Sequence, residues 1–240
     1  MKKTILFRIF LRSLTIQASF NFYRMQSLGF VFSLLPLTRQ EGDPQRLSEL
    51  LTSHLEMFNT HPYLTALVIG SVVRLEEDGD TAAADYLKKA VMGPYAAIGD
   101  PFFWGALRSF SSATAVLLAL KGVLLAPLAL LLLHNPAHLW VRGKGFIEGY
   151  NRGKGSIDFI RMLDLPGVTG RIRLLSLILI GIMSAVAGEM ACRSWTFLPQ
   201  LPGKVIVLVL IVLCFTGVRR GISPVKILYG MTLLCMVLSI

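Results

Sequence analysis

Five runs in this chain are long, apolar and nearly free of charge, and they limit its fold more than any other feature of the sequence. Crossing the hydrocarbon core of a bilayer takes about 20 mainly apolar residues in a helix. Phe102–Leu120, which contains Arg108, Gly122–Val141 and Ile172–Ala191 meet that length. Val205–Val218 and Val225–Ile240 are shorter but continuous. Two further pieces, Leu28–Leu37 and Leu64–Val73, are too short to span and carry or adjoin Pro36 and Pro62. Half-length pieces of this kind are expected to be re-entrant or interfacial. Only 16% of the residues are charged and 54% are hydrophobic, against roughly a quarter charged in soluble domains. This balance excludes a cytosolic enzyme and a disordered chain. The net charge of +10 would suit nucleic acid or a membrane, and the apolar runs decide for the membrane and against nucleic acid. The expected fold is all-α and polytopic, with about five transmembrane helices, an N-terminal amphipathic helix and re-entrant or broken helical hairpins. One membrane-embedded domain is expected over residues 1–240. Its residues 1–100 are read as amphipathic and re-entrant, and 101–240 as spans with a cytoplasmic loop at 142–171.

The charges orient that domain. Residues 38–100 hold ten of the fourteen acids, whereas the N-terminal 37 residues hold none. Arg142, Lys144, Arg152, Lys154, Arg161, Arg171 and Arg173 fall between the second and third runs, and Arg219 and Arg220 between the fourth and fifth. Basic loops stay in the cytoplasm. The N-terminus is then cytoplasmic and the C-terminus external, with short outer loops around Lys121 and Cys192–Lys204. Met1–Phe10 resembles a signal peptide in its Lys2-Lys3 start, but Arg8 and Arg12 interrupt the apolar part and no small-x-small site follows. It reads as a basic amphipathic helix on the inner surface, with Arg8, Arg12, Thr15 and Ser19 on one side. Cys192, Cys214 and Cys235 lack metal-ligand spacing and read as apolar fillers. No metal and no cofactor is expected.

Irregular backbone at membrane depth is tolerated only where it lines a cavity, so breaks in apolar regions mark candidate substrate sites. Three stretches qualify. In the first, Asn21 and Arg24 follow Gln17 at helical spacing, with Gln26 close behind; they form a polar path or the face of an amphipathic helix. In the second, Pro62 sets a helix boundary near His61, freeing Asn59, Thr60 and His61 for contact. His61 invites a reading as phosphoryl acceptor or proton relay, but the sequence supplies no second group for catalysis, and a turn residue before proline is the plainer reading. In the third, Gly93-Pro94 and Gly99-Asp100-Pro101 interrupt the chain twice within nine residues. Asp100 would cap a new helix with Pro101 in its first turn. Trp104 and Arg108 would follow on the same face. Asp100 and Trp104 there suit either a cap with an interfacial aromatic or a sugar or ion site.

Two apparent motifs fail on spacing. Gly149-Tyr150-Asn151-Arg152-Gly153-Lys154-Gly155 has three residues where a phosphate loop needs four, and Gly155 where Ser or Thr is needed. Glu76-Glu77-Asp78-Gly79-Asp80 lacks calcium-loop spacing and reads as a solvated turn.

The order and separation of five motifs resemble the IID membrane component of the mannose–fructose–sorbose phosphotransferase systems. They are Phe10-Leu11-Arg12-Ser13, Asn21 through Phe30, His54 through Leu64, Met92-Gly93-Pro94 through Gly105, and the Arg142, Gly145, Gly149-Tyr150, Gly153 pattern. The resemblance implies a subunit of the bacterial inner membrane that pairs with a IIC subunit, often as a trimer of such pairs. Together they bind a hexose and pass it across. A phosphohistidine on cytoplasmic IIB, loaded by IIA, supplies the phosphoryl group, and IID carries no phosphorylated residue. His61 is then read as part of the substrate path or a helix break.

Departures from the family pattern are Tyr23 where Glu is usual, Ala97 for Gly, Ser109 for Pro, and Arg173-Leu174 for a Thr-Glu pair. On the leading reading Asn59, His61, Asp100 and Trp104 contact substrate, while Pro62, Gly93, Pro94, Gly99 and Pro101 shape helix breaks or hairpins. Asn21, Arg24 and Gln26 form a polar path. No residue of this subunit is expected to be catalytic. The alternative is a diverged IID-like scaffold or receptor without transport, and no filter-like motif supports a free-standing channel.

Overall fold

The computed structural model describes residues 1–38, 44–194 and 200–238. Its helices are α1 (Lys3–Ser13), α2 (Ser27–Thr38), α3 (Pro44–His54), α4 (Thr65–Glu77), α5 (Thr81–Gly99), α6 (Arg108–Leu120), α7 (Ala126–Arg152), α8 (Ile157–Met162), α9 (Leu165–Ser194), α10 (Gln200–Arg219) and α11 (Pro224–Leu238). A π-helical segment, Asp100–Leu107, joins α5 to α6. Among the described residues pairing between extended segments is limited to two isolated bridges, Asn21 with Met25 and Met25 with Phe58. The all-α membrane fold is as the sequence implies. The stretches Thr81–Leu120 and Ala126–Met190 each contain a window apolar enough to cross a bilayer, with shorter apolar helices at α2, α10 and α11. The chain divides into two compact units, Met1–Leu179 and Ile180–Ile240.

In the first unit α4 is the core. It is apolar on all sides, and Leu64 through Val73 are all buried, the pattern of a helix surrounded by protein. The half-length run expected to be re-entrant is therefore an interior helix. Its main partner is α7. A Cβ on Gly149 would meet the Leu67 carbonyl oxygen and lie 2.9 Å from the Ser71 amide nitrogen. A Cβ on Gly70 would meet the Phe146 carbonyl oxygen and lie 3.0 Å from the Tyr150 amide nitrogen. Each helix thus offers a glycine to the other's backbone, the close approach typical of membrane helices. Residues 142–152, expected as part of a glycine-rich cytoplasmic loop, are instead the last turns of α7, and the chain turns only at Gly153, with φ +52°. Glycine weakens an isolated helix by about 1 kcal/mol relative to alanine, and tertiary packing overrides that preference here.

Helix α1 docks against the same core. Ile9 and Ser13 are buried, and Phe10 stands 5.5 Å from Phe146 between ring centroids. Arg12 lies over the Phe32 ring at 4.5 Å and donates to the Phe32 carbonyl at 3.1 Å.

The acidic turn is only partly solvated. Glu76 is buried and paired with the equally buried His54, Nε2 to Oε1, at 3.1 Å. Gly79, with φ +78°, makes the turn. Asp80 then caps α5 by accepting from the Ala83 amide at 3.1 Å and pairs with Lys154 at 2.8 Å. The Lys154 hydrogen bond, followed by the Ala83 amide, holds the Asp80 carboxyl below its ordinary value.

From Thr81 to Leu120 the helix does not break. The hairpin expected at Gly93-Pro94 and Gly99-Asp100-Pro101 is replaced by continuous helix whose ladder widens at Asp100, with the Arg108 amide donating to the Phe103 carbonyl. Pro101 has no N–H to continue the ordinary ladder, and π-type turns absorb such mismatches. Asp100 is therefore an interior residue, and its amide donates to the Ala96 carbonyl. A tight turn at Gly122, φ +79°, leads into α7, as expected around Lys121.

The second unit contains the end of α9 with α10 and α11. Gly221, φ +85°, turns the chain beside Arg219 and Arg220. Leu208, Leu213, Leu228 and Leu233 point outward and are exposed, as lipid-facing or subunit-facing helices require. Cys214 is free and partly buried. The side chains of Cys192 and Cys235, and residues 195–199 of the expected outer loop, lie outside the described residues.

Candidate functional site

The first polar stretch is not helical. The Asn21 Oδ1 accepts from the amides of Tyr23 at 3.1 Å and Arg24 at 2.8 Å, and Asn21 and Met25 exchange backbone hydrogen bonds. Asparagine competes with the helix ladder through such local bonds, and Met25 completes the turn with φ +55°. The helical face expected for Asn21 and Arg24 is absent: Asn21 builds a turn, and Arg24 is exposed at its tip. Gln26, two residues beyond Arg24, points inward and is buried. Its Nε2 donates to the Thr60 carbonyl at 2.7 Å, and its Oε1 accepts from the Thr60 amide at 3.2 Å. The Gln26 amide also donates to the Phe58 carbonyl at 2.8 Å. The turn around Asn21 thereby holds the irregular segment before Pro62.

That segment carries Asn59 and His61. The His61 ring is only 1% exposed and stacks on Phe103 at 4.8 Å, with Tyr63 and Trp104 each at 4.9 Å. Its Nδ1 accepts from the Tyr63 amide at 3.2 Å. In the neutral ring the proton then sits on Nε2. That nitrogen has no hydrogen-bond partner and stands 3.9 Å from the Asp100 carboxylate, too far for a hydrogen bond. Gly99 makes room for this ring, because a Cβ there would lie 2.6 Å from His61 Cγ. Its role is close packing, not the hairpin geometry read from sequence. Nothing lies within 4 Å of a Cβ placed on Gly93.

Gln17, Gln26, Asn59, Thr60, Asp100 and Trp104 surround one cavity of about 280 Å³. Three separate chain segments meet there. Of the residues expected at substrate, Asn59, Asp100 and Trp104 line the cavity, whereas His61 sits behind its wall. Gln26 lines it too, while Asn21 and Arg24 do not. Thr60 and Gln17 were not assigned from sequence; both lie in the polar stretches that pointed here.

A further group was not expected at the site. Tyr63 stacks on His138 at 4.4 Å, and the Arg142 guanidinium lies 4.7 Å over the same ring. Arg142 also donates to the Leu14 carbonyl at 3.3 Å. The signal was available, since His134, His138 and Arg142 recur at every fourth position after an apolar first half of the helix.

The cavity offers one carboxylate, three amide side chains and an indole. This combination suits a neutral, hydroxyl-rich ligand, which needs a few placed polar groups and an apolar face. Among the described residues no group of three His, Cys, Asp or Glu side chains is placed to hold a metal ion.

Comparison with known proteins agrees in sequence and in fold. The family model of the PTS system mannose/fructose/sorbose family IID component matches residues 1–240. The mannose-specific EIID component of Escherichia coli (strain K12) is 32% identical over 92% of this chain and 87% of the relative. The fructose permease IID component of Bacillus subtilis (strain 168) is 33% identical over 75% and 68%. Among solved structures, a chain of the mannose transporter ManYZ in complex with microcin E492 superimposes with a TM-score of 0.60. It is 29% identical, covering 99% of this chain and 96% of that one. A second solved membrane protein gives a TM-score of 0.74, also at 29% identity, with 98% and 96% covered. This chain therefore belongs to the mannose/fructose/sorbose family of phosphotransferase-system IID components, the membrane subunits of PTS sugar permeases.

Proposed function

We propose that the cavity between Asn59, Asp100 and Trp104 is where this subunit contacts a hexose during uptake. The supporting observation is convergence: polar groups from residues 17–26, from 59–60 and from the π-helical segment surround a space near the lower end of ligand-cavity sizes. Asp100 and Asn59 hydrogen-bond hydroxyls, and the Trp104 indole packs against the apolar face of the sugar ring. His61 is a positioning residue. A small rotation of the Asp100 carboxylate brings one oxygen onto the unpartnered Nε2–H and leaves the other for substrate. Gln26 fixes the Asn59–His61 segment through Thr60.

The subunit works with a IIC partner in completing the path, in a trimer of IIC–IID pairs, and cytoplasmic IIAB donates the phosphoryl group from its phosphohistidine. The basic ends of α7 and α10 support a cytoplasmic N-terminus and an external C-terminus in a bacterial inner membrane. Uptake of labelled mannose, fructose and sorbose by cells carrying the whole set of PTS components tests this reading. Accumulation of the phosphorylated form of at least one sugar is expected. Absence of uptake of all three contradicts it and favours a scaffold without transport.

A further inference from the structure

Trp104 faces a second cavity on its other side. That cavity, of about 290 Å³, is lined by Tyr63, Arg108, Ser111, Ser112 and His134 as well as by the indole. Along the helix Arg108 and Ser112 lie four and eight residues beyond Trp104, about 6 and 12 Å towards the turn at Lys121. Asp100 lies four residues the other way. The two cavities therefore follow one another along the same helix, with one indole between them.

The second cavity has its own unsatisfied chemistry. No carboxylate pairs with the Arg108 guanidinium among the described residues. An unpaired cation within an apolar span is costly and marks a ligand route. The Nδ1 of His134 is buried without a hydrogen-bond partner. The Ser111 hydroxyl is buried and already donates to the Leu107 carbonyl at 2.8 Å, which leaves Ser112 as the hydroxyl available on this wall. Tyr63 and Trp104 contribute aromatic faces. The first cavity accepts hydrogen bonds chiefly through a carboxylate, whereas this one donates them through a guanidinium. A sugar hydroxyl both donates and accepts and is served by each in turn.

We propose that the cavity around Arg108, Ser112 and His134 is a second monosaccharide station, separated from the first by Trp104. It rests on the reading of the first cavity as a hexose site. The two are distinguished by thiol protection in the assembled permease, with Cys192, Cys214 and Cys235 replaced by serine. Ala96→Cys, on the wall of the first cavity, reports on that cavity and Ser112→Cys on the second, each labelled with a small methanethiosulfonate in the presence of mannose, fructose or sorbose.

At sugar concentrations ten times Kd, labelling of both cysteines is expected to slow about tenfold. Asp100→Asn is expected to weaken protection at Ala96→Cys alone, and Arg108→Gln at Ser112→Cys alone. Arg108→Lys, which keeps a charged donor, retains protection and separates loss of the site from loss of the fold. Protection at Ala96→Cys without protection at Ser112→Cys overturns the second station and leaves the first reading intact. Protection at Ser112→Cys that vanishes with Asp100→Asn makes the two cavities one site and also overturns it, as does a Ser112→Cys that never labels. Protection at neither position contradicts the hexose reading itself.

Discussion

The side chain of Gln26 grips both backbone groups of Thr60, accepting from its amide at 3.2 Å and donating to its carbonyl at 2.7 Å. This pairing across 34 residues lets a surface turn set the position of Asn59 and His61. Removing one partner of a buried hydrogen bond costs about 1–3 kcal/mol for each group left unpaired. Gln26→Leu should therefore lower the melting temperature of the assembled complex and weaken sugar binding. Gln26→Glu keeps the acceptor but sets a buried carboxylate against the Thr60 carbonyl, so its effect should be at least as large. Equal melting of wild type and Gln26→Leu would show that the grip is unimportant.

Gly99 and Gly93 make a matched pair in one helix. A Cβ on Gly99 would crowd His61, with Cγ at 2.6 Å, whereas one on Gly93 meets nothing within 4 Å. Overpacking a tight interior costs typically 1–3 kcal/mol. Gly99→Ala should destabilise the protein and raise the KM for uptake, and Gly93→Ala should do neither. Thermal denaturation with uptake kinetics on the two variants separates them.

The same contrast holds in α7. Gly149 abuts the backbone of α4 at Leu67 and Ser71, while Gly143 faces open space. Gly149→Ala should force the two helices apart and reduce the amount of folded complex recovered from membranes. Gly143→Ala should be neutral, or stabilising by up to about 1 kcal/mol through helix propensity. Equal recovery of the two variants would contradict the close α4–α7 contact.

For His61 the expectation is a split between stability and binding. His61→Phe preserves the ring packed against Phe103, removes the unpartnered Nε2–H and takes the acceptor from the Tyr63 amide. In thermal melting its stability should fall only by what the unpaired Tyr63 amide costs, about 1–3 kcal/mol at most, while its sugar affinity falls because Asp100 loses the donor proposed to orient it. Unchanged affinity would reduce His61 to packing.

How far the sequence disclosed this arrangement depends on the range of the interaction. The spans follow from hydropathy, and Asp100 with Trp104 were placed together because four residues make one helical turn. The helix through residues 93–101 was hidden because proline and glycine usually end helices, whereas here a widened, π-type ladder absorbs Pro101. The turn at Asn21 was hidden by a helical spacing that the asparagine side chain itself defeats. Gln26 and Thr60 are far apart in sequence, so no local pattern could pair them. His134, His138 and Arg142 were legible as one face of α7, but their shared contact with Tyr63 needed the tertiary fold.

Equilibrium binding of labelled mannose, fructose and sorbose to the assembled permease, wild type against Asp100→Asn, tests the central claim most directly. Asparagine keeps the size of the side chain and removes its charge, and a hydrogen bond to a charged group contributes about 1.5–3 kcal/mol. The account predicts a Kd raised about tenfold or more for the bound sugar, with melting temperature unchanged. A Kd equal to that of wild type for a sugar that wild type binds would contradict it.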